Sequence, residues 1–294
     1  MTTNLLNPIQ ALPASVEMLP RQVPGLNELR DMLPAGTRVY LADIGSDGVE
    51  DGMLIASRRL RDAGCFSVPH LAARRIRSFE ALERGVRRLV EEGGVNDVLV
   101  VGGGLPAPAG PFASSLQLLE TGVLDRFGIS DVAIAGHPEG SPDFSDAVAF
   151  DALRQKKEFA ERTDARLRIV TQFGFDASKA LCWADALREA GLNIPIHIGV
   201  AGPAKISTLI KYGRLCGVGN SLSMLTRHSG SLLTLATGYS PDTFVVPIER
   251  QVQDRPSLVS QIHVFPFGGL NSAATWLRKR GSWRVSAELL RAAR

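Results

Sequence analysis

The stretch Arg168-Ile169-Val170-Thr171-Gln172-Phe173-Gly174-Phe175-Asp176 decides the fold class. Its first four residues are a short β-rich run. A parallel strand covered by helices on both faces reads as a continuous apolar run rather than an alternating one. Gln172 follows where that run leaves the core, at a strand's C-terminal end, where α/β barrels and open sheets carry their chemistry. Asp176 is placed to cap a helix opening at Ala177, its side chain accepting from a free N–H of the first turn. Taken alone, Gln172 could equally satisfy loop backbone. The same strand-turn-helix unit, however, recurs along the whole chain.

Working outward, strands are expected at Ser15 to Leu19, Arg38 to Ala42, Cys65 to Val68, Asp97 to Val101 and Val132 to Ala135. The central stretch is the sixth, and Ile194 to Ile198 and Ile262 to Phe265 complete the set. Helical patterns fill the intervals: Asn27 to Leu33, Asp51 to Asp62, Ser78 to Glu92, Phe112 to Arg126, Phe144 to Glu161, Ala204 to Tyr212 and Leu270 to Lys279. In the third of these Phe79, Leu82, Val86 and Leu89 recur at spacings of three and four, one face of a helix. Eight such units without a linker predict a single (β/α)8 TIM barrel over residues 14–294, behind an N-terminal arm, 1–13. Extra helices are expected between strands seven and eight, and one more short helix from Val285 to Ala293. A doubly wound sheet is the runner-up; its usual Gly-x-Gly-x-x-Gly fingerprint after the first strand is absent.

The composition bounds the function. Of 294 residues, 45% are hydrophobic and 21% charged, which suits a globule with ample core. A net charge of +3 gives no reason to expect nucleic acid or a membrane surface. The start of the chain lacks the basic-then-apolar order of a secretory signal, and no apolar run approaches the roughly 18 residues that a span needs. Cys65, Cys182 and Cys216 are sparse and form no metal spacing, which suggests buried free thiols in a reducing cytoplasm.

The polar residues expected at the strand ends are Glu17, Asp43, His70, His137 with Glu139, and Gln172. Around them stand the glycines Gly102 to Gly104 and Gly199 to Gly202, with Phe267. No metal cluster and no nucleophile elbow is among them. The set suits redox or proton-transfer chemistry on a bound organic cofactor better than hydrolysis.

In their order these segments resemble the methylenetetrahydrofolate reductases. Ser15-Val16-Glu17-Met18-Leu19-Pro20 is similar to that family's Phe-Glu-Phe-Phe-Pro strand, and Pro69-His70-Leu71 to its Pro-His-Leu segment. The run from Gly102 to Leu116 resembles its Arg-Gly-Asp-Leu-Pro turn and the helix start after it. Ala135 to Asp143 resembles its Tyr-Pro-Glu-x-His-Pro-Glu segment, and Val170 to Asp176 its Thr-Gln-Phe-x-Phe-Asp motif. The likeness runs from about residue 14 to 280.

The resemblance implies reduction of 5,10-methylenetetrahydrofolate to 5-methyltetrahydrofolate, with NADH or NADPH as donor and FAD as hydride carrier. It makes Glu17 the general acid that opens the five-membered ring, and Gln172 the amide that orients the pterin, with Gly104 and Phe267 also at the substrate. Asp43, His70, Gly103, Phe112, Ala113, His137, Asp151 and Lys156 fall on cofactor positions, Lys157 being an alternative to Lys156. A homo-oligomer in the cytoplasm is expected. The departures are equally specific. Gly104 replaces the aspartate of the glycine turn, Gly102 its arginine, and Asp43 and Ser141 stand where threonine and histidine are usual. Such losses also suit direct hydride transfer from NADH without flavin, or a folate-binding barrel without turnover.

Overall fold

The computed structural model describes residues 9–43, 49–216, 218 and 238–283. Eight strands form a closed, wholly parallel barrel: β1 (Ala14–Met18), β2 (Arg38–Leu41), β3 (Phe66–Ala72), β4 (Asp97–Val101), β5 (Asp131–Gly136), β6 (Arg166–Gly174), β7 (Ile196–Ala201) and β10 (Val259–Phe265). A short antiparallel pair, β8 (Ala204–Lys205) with β9 (Gly238–Tyr239), lies between the last two. Closure comes where β1 pairs on one side with β2 and on the other with β10, joining the two ends of the chain.

Helices α1 (Leu26–Met32), α2 (Val49–Asp62), α3 (Phe79–Glu91), α4 (Ser115–Leu119), α5 (Val123–Arg126), α6 (Asp146–Ala160) and α7 (Ala177–Glu189) follow the first six strands. The last three are α8 (Ile206–Leu215), α9 (Asp242–Asp254) and α10 (Leu270–Arg280). Local chemistry starts several of them. The Ser78 and Ser145 hydroxyls and the Asp176 carboxylate accept from backbone N–H groups three residues on, as N-caps do.

Two apolar layers follow from strand alternation. Val39, Val98, Ile134, Ile169, Ile196 and Val264 are fully buried in the layer shared with helix residues such as Leu60, Leu82, Val86 and Leu187. Each such side chain contributes roughly 1.5–3 kcal/mol. Tyr40, Val68, Leu99, Ala133 and Val170 form a separate inner cluster that fills the barrel. Near the strands' N-terminal ends the interior turns polar. Arg168 donates to Asp97 Oδ1 (2.6 Å) and to the Tyr40 hydroxyl (2.8 Å), and Arg38 donates to Asp97 Oδ2 (3.0 Å).

Several boundaries differ from the sequence reading. β3 does not stop at Val68 but runs through Pro69 and His70 to Ala72, so His70 projects from the strand. The helix expected over Phe112 to Arg126 is two short ones, divided where Gly122 takes φ 68°. β6 runs on to Gly174, and its register against β7 shifts between Val170 and Phe173. Gln172 therefore sits in an irregular part of the strand, not in the loop beyond it. Ala204 opens a short strand, and the helix begins at Ile206. Of the three thiols only Cys65 is buried; Cys182 and Cys216 are exposed. Extra helical chain does lie between β7 and β10. The remainder of that insertion (217, 219–237), the loop 44–48, most of the arm (1–8) and the tail helix fall outside the described residues. No helix of the described residues is long and apolar enough to cross a membrane.

Arg168 and Asp97 are both buried. Replacing one partner strands the other charge, which costs about 3 kcal/mol or more, moderated here because Arg38 still faces Asp97. Arg168→Leu is expected to lower the urea midpoint markedly, and Arg168→Leu with Asp97→Leu to lower it less. A double variant no better than the single one would show that the ion pair is not what the site stabilises.

Candidate functional site

The barrel seam builds the centre of the site. Register sets Ser15 opposite His263 and Glu17 opposite Tyr40. The Ser15 hydroxyl lies 3.0 Å from His263 Nδ1, and His263 Nε2 lies 3.4 Å from Glu17 Oε2. His70 Nε2 approaches the same oxygen at 3.6 Å from β3. The Tyr40 ring packs edge-on against both imidazoles, at 4.5 Å from His263 and 6.4 Å from His70. Its hydroxyl is fixed by Arg168. His263 is wholly buried, whereas the Glu17 side chain keeps 20% of its surface open. Glu17 is thus the most exposed member of this group.

The electrostatics favour an ionised Glu17. Burial pushes its carboxyl up, but the His263 hydrogen bond and the fields of His70 and His263 outweigh that and hold it below its usual range. Burial, opposed by Glu17 and the nearby Asp43, pushes His70 down towards its neutral form. The His263 bond is therefore the firmer hold on the Glu17 charge.

The exit of β6 forms the next wall. The Gln172 side-chain oxygen accepts from the Phe173 N–H at 3.2 Å, so part of its amide does satisfy backbone. Its side-chain NH2 meets no acceptor among the described residues. Thr171 Oγ1 accepts from the Gly199 N–H at 2.8 Å. A Cβ at Gly199 would stand 2.4 Å from the Thr171 carbonyl oxygen, so only glycine lets β7 approach the irregular β6 this closely. Beyond it Phe173, Phe175, Phe265 and Phe267 pack largely edge-to-face, Tyr212 stacks on Phe267 at 4.6 Å, and Tyr239 closes on Phe175. Glu139 accepts from the Phe175 N–H at 3.1 Å and ties the β5 and β6 exits together.

The third wall is the turn after β4. Gly103 takes φ 87° over Ala72, and Gly104 has open space where a side chain would stand. Arg74 holds the loop by donating to the Leu105 and Ala113 carbonyls, and the Ala113 N–H donates to Gln117. Phe112 anchors the loop in the helix-facing core, away from the mouth. His137 packs edge-on against Phe144, and burial and the charge of Lys156 both lower its pKa. Lys156 is 7% exposed and has no acid partner among the described residues; burial brings its ammonium down to about 8. Asp151 belongs elsewhere: it is exposed on α6 and is taken up by Arg154 and Gln155.

The structure thus gathers Glu17, His70 and Asp43, sets Gln172 and Phe267 on an adjoining wall, and leaves His137 within the field of Lys156. It leaves Phe112 and Asp151 apart from them. Sequence reasoning missed His263, Ser15 and Tyr40. The signal was present, since His263 stands inside an otherwise apolar strand, but partnership across 246 residues is visible only after closure.

No protein-family model matches the chain. Over 109 residues it is 34% identical to Methylenetetrahydrofolate reductase 1 of Schizosaccharomyces pombe, a match that takes in 36% of this chain and 17% of that protein's length. The fold is similar to that of an uncharacterized protein from Clostridium thermocellum which binds two copies of 5-methyl-5,6,7,8-tetrahydrofolic acid. That likeness has a TM-score of 0.52 at 9% identity and covers 96% of this chain and 98% of that one. By sequence, then, the chain resembles the methylenetetrahydrofolate reductases over part of its length, and its fold is the closed (β/α)8 barrel.

Proposed function

We propose that the chain reduces 5,10-methylenetetrahydrofolate to 5-methyltetrahydrofolate with hydride from NADH or NADPH. The observation that carries this reading is Glu17, a carboxylate hydrogen-bonded to an imidazole and open on one side to the barrel mouth. Reduction of the methylene bridge needs a proton on the ring nitrogen before the ring can open. Opening yields an iminium carbon, and hydride addition to that carbon gives the methyl group. Glu17 is the acid placed for the first step. Gln172 offers a donor and an acceptor to the pterin edge, and the Phe173, Phe265 and Phe267 wall offers ring faces beside it.

The residues present fit a dinucleotide. A buried lysine with no acid partner among the described residues suits a pyrophosphate, and Lys156 beside His137 would hold it. The glycine turn gives a flat ring access to backbone, and Asp43, His70, Gly103 and Ala113 stand around that path. FAD, where bound, supplies the hydride acceptor and donor between NAD(P)H and the folate. A flavin-free route is the second reading, supported by the turn's lack of any side chain at Gly104, which leaves room for a nicotinamide. Purified protein given methylenetetrahydrofolate and NADH or NADPH, with and without FAD, is expected to form 5-methyltetrahydrofolate. Flavin absorption bands in that protein select the first route and a colourless active protein the second. Absence of product under all these conditions sinks both.

Three variants test the roles. Glu17→Gln is expected to lower turnover by roughly 10²–10⁴-fold while circular dichroism is unchanged; retention of a tenth of wild-type activity removes Glu17 as the acid. Gln172→Ala is expected to raise the folate KM by about 5- to 150-fold, the equivalent of 1–3 kcal/mol, with the dinucleotide KM little altered. Equal changes in both would make Gln172 a structural residue. Lys156→Met should weaken dinucleotide binding yet stabilise the fold at pH 7. The folded pKa, about 8, lies below the ordinary 10.5. The unfolded chain therefore binds more protons between these values, and wild-type stability rises with pH across that window. The variant's advantage, on the order of 1–3 kcal/mol, should accordingly be full below pH 8 and fade towards pH 10. A pH-independent difference would contradict the desolvation of Lys156.

A further inference from the structure

We infer that the Thr171 hydroxyl holds open a one-residue bulge in β6 that turns Phe173 into the mouth, which makes Thr171 a positioning residue for the folate site. This rests on the folate-reduction reading above and adds to it a residue that meets no ligand itself. Register shows the bulge. Val170 stands opposite His197 and Phe173 opposite Gly199, so β6 takes three steps where β7 takes two. Thr171 and Gln172 thus share the one position opposite Ile198, the two-against-one count of a β-bulge.

The direction of each side chain follows from that register. Val170 belongs to the inner cluster and Ile169 to the layer shared with the helices. Plain alternation from Val170 would send Gln172 and Gly174 inward and Phe173 outward. Phe173 instead pairs with Gly199, which pairs in turn with the inward His263. The Phe173 ring packs against Phe265 at 5.3 Å and Phe267 at 4.8 Å, and Phe175 joins the same cluster two residues on. A shift of one residue exchanges the two faces of a strand. The aromatic wall at the β6 exit is the product of that exchange.

A bulge takes backbone groups out of the ladder, and buried ones need other partners. The Gly199 N–H finds one in Thr171 Oγ1 at 2.8 Å, and the same hydroxyl donates to the Gln172 carbonyl oxygen at 2.9 Å. The Phe173 N–H takes the Gln172 side-chain oxygen. A hydroxyl accepts and donates at once, so Thr171 ties β7 to the bulge in which it sits. Gly199 completes the fit, since a Cβ there would stand 2.4 Å from the Thr171 carbonyl oxygen and 2.5 Å from that of Gln172. The Thr171 methyl has a different place. A Cβ on Gly136 would meet it at 3.3 Å, in company with Ile169 and Trp183 on the helix-facing side. Hydroxyl and methyl therefore do separate work: one holds the bulge, the other fills the outer layer.

Two substitutions in the full chain separate them. Thr171→Val keeps the methyl and removes the hydroxyl, and Thr171→Ser does the reverse. In ¹⁵N-labelled wild type the Gly199 N–H is expected among the slowly exchanging amides of β7. Thr171→Val should speed its exchange about tenfold and raise the folate KM about tenfold, with the dinucleotide KM within about threefold. Thr171→Ser should bring exchange and folate KM back to within about threefold of wild type. Fast exchange at Gly199 in wild type, or unchanged exchange in Thr171→Val, overturns the hold on the bulge, whatever the activity. Where wild type turns over, equal rises of both KM values in Thr171→Val, or a serine variant as impaired as the valine one, overturn the positioning role and leave the folate reading standing. If wild type forms no product with either dinucleotide, with or without FAD, the folate reading falls and takes the positioning role with it, while exchange at Gly199 still decides the bulge.

Discussion

Everything at the candidate site depends on the seam where the first strand meets the last. Ser15 and Glu17 belong to β1, His263 to β10, and their contacts span 246 to 248 residues. In the unfolded chain these groups share no neighbourhood, and no fragment lacking either strand would contain the site. Closing a loop of that length costs only modestly more entropy than closing a short one. What it constrains is speed, because pairings this far apart in sequence form slowly. The geometry of the candidate site and barrel closure are in this sense one structural event.

The inside of the barrel carries charge at two levels, and Tyr40 joins them. Below, Arg168 and Arg38 enclose Asp97; above, His70 and His263 flank Glu17. The Tyr40 hydroxyl belongs to the lower group and its ring to the upper. A buried ion pair is a weak contributor to stability when compared with apolar residues of the same size. Its value here is orientation: Arg168 fixes the tyrosine, and the tyrosine fixes the imidazole plane. An apolar floor would leave Tyr40 with a buried hydroxyl and no partner, which costs more than the bond gains.

Eight strands and their helices were legible in the sequence because parallel strands announce themselves as apolar runs and several helices begin with a capping Ser or Asp. Glu17 and His70 were legible for the same reason, as polar residues at the ends of such runs. The irregular part of β6 was not. It depends on Gly199, whose missing side chain admits the Thr171 and Gln172 backbone, and nothing within β6 itself signals that. The helix over Phe112 to Arg126 failed similarly, because apolar periodicity continues through Gly122 while its backbone turns left-handed. Asp151, placed among the cofactor positions by the resemblance, is on the exposed face of α6 with Arg154 and Gln155. Which face of a helix a carboxylate occupies changes by 100° with each residue, so a motif match alone does not decide it.

Two buried histidine nitrogens have no hydrogen-bond partner among the described residues, and they separate site from scaffold. His197 Nδ1 lies where burial and two arginines, Arg168 and Arg38, push the imidazole well below its ordinary pKa. A neutral ring is the only form that such a field tolerates, so the unmet nitrogen is the lesser cost of filling the barrel floor. His70 Nε2 is different. It points at Glu17 from 3.6 Å, just outside hydrogen-bond reach, and its side chain is still 12% exposed. The Glu17 carboxylate raises the basicity of His70, whereas the two arginines lower that of His197. The carboxylate at one level and the guanidinium groups at the other thus set the two rings apart.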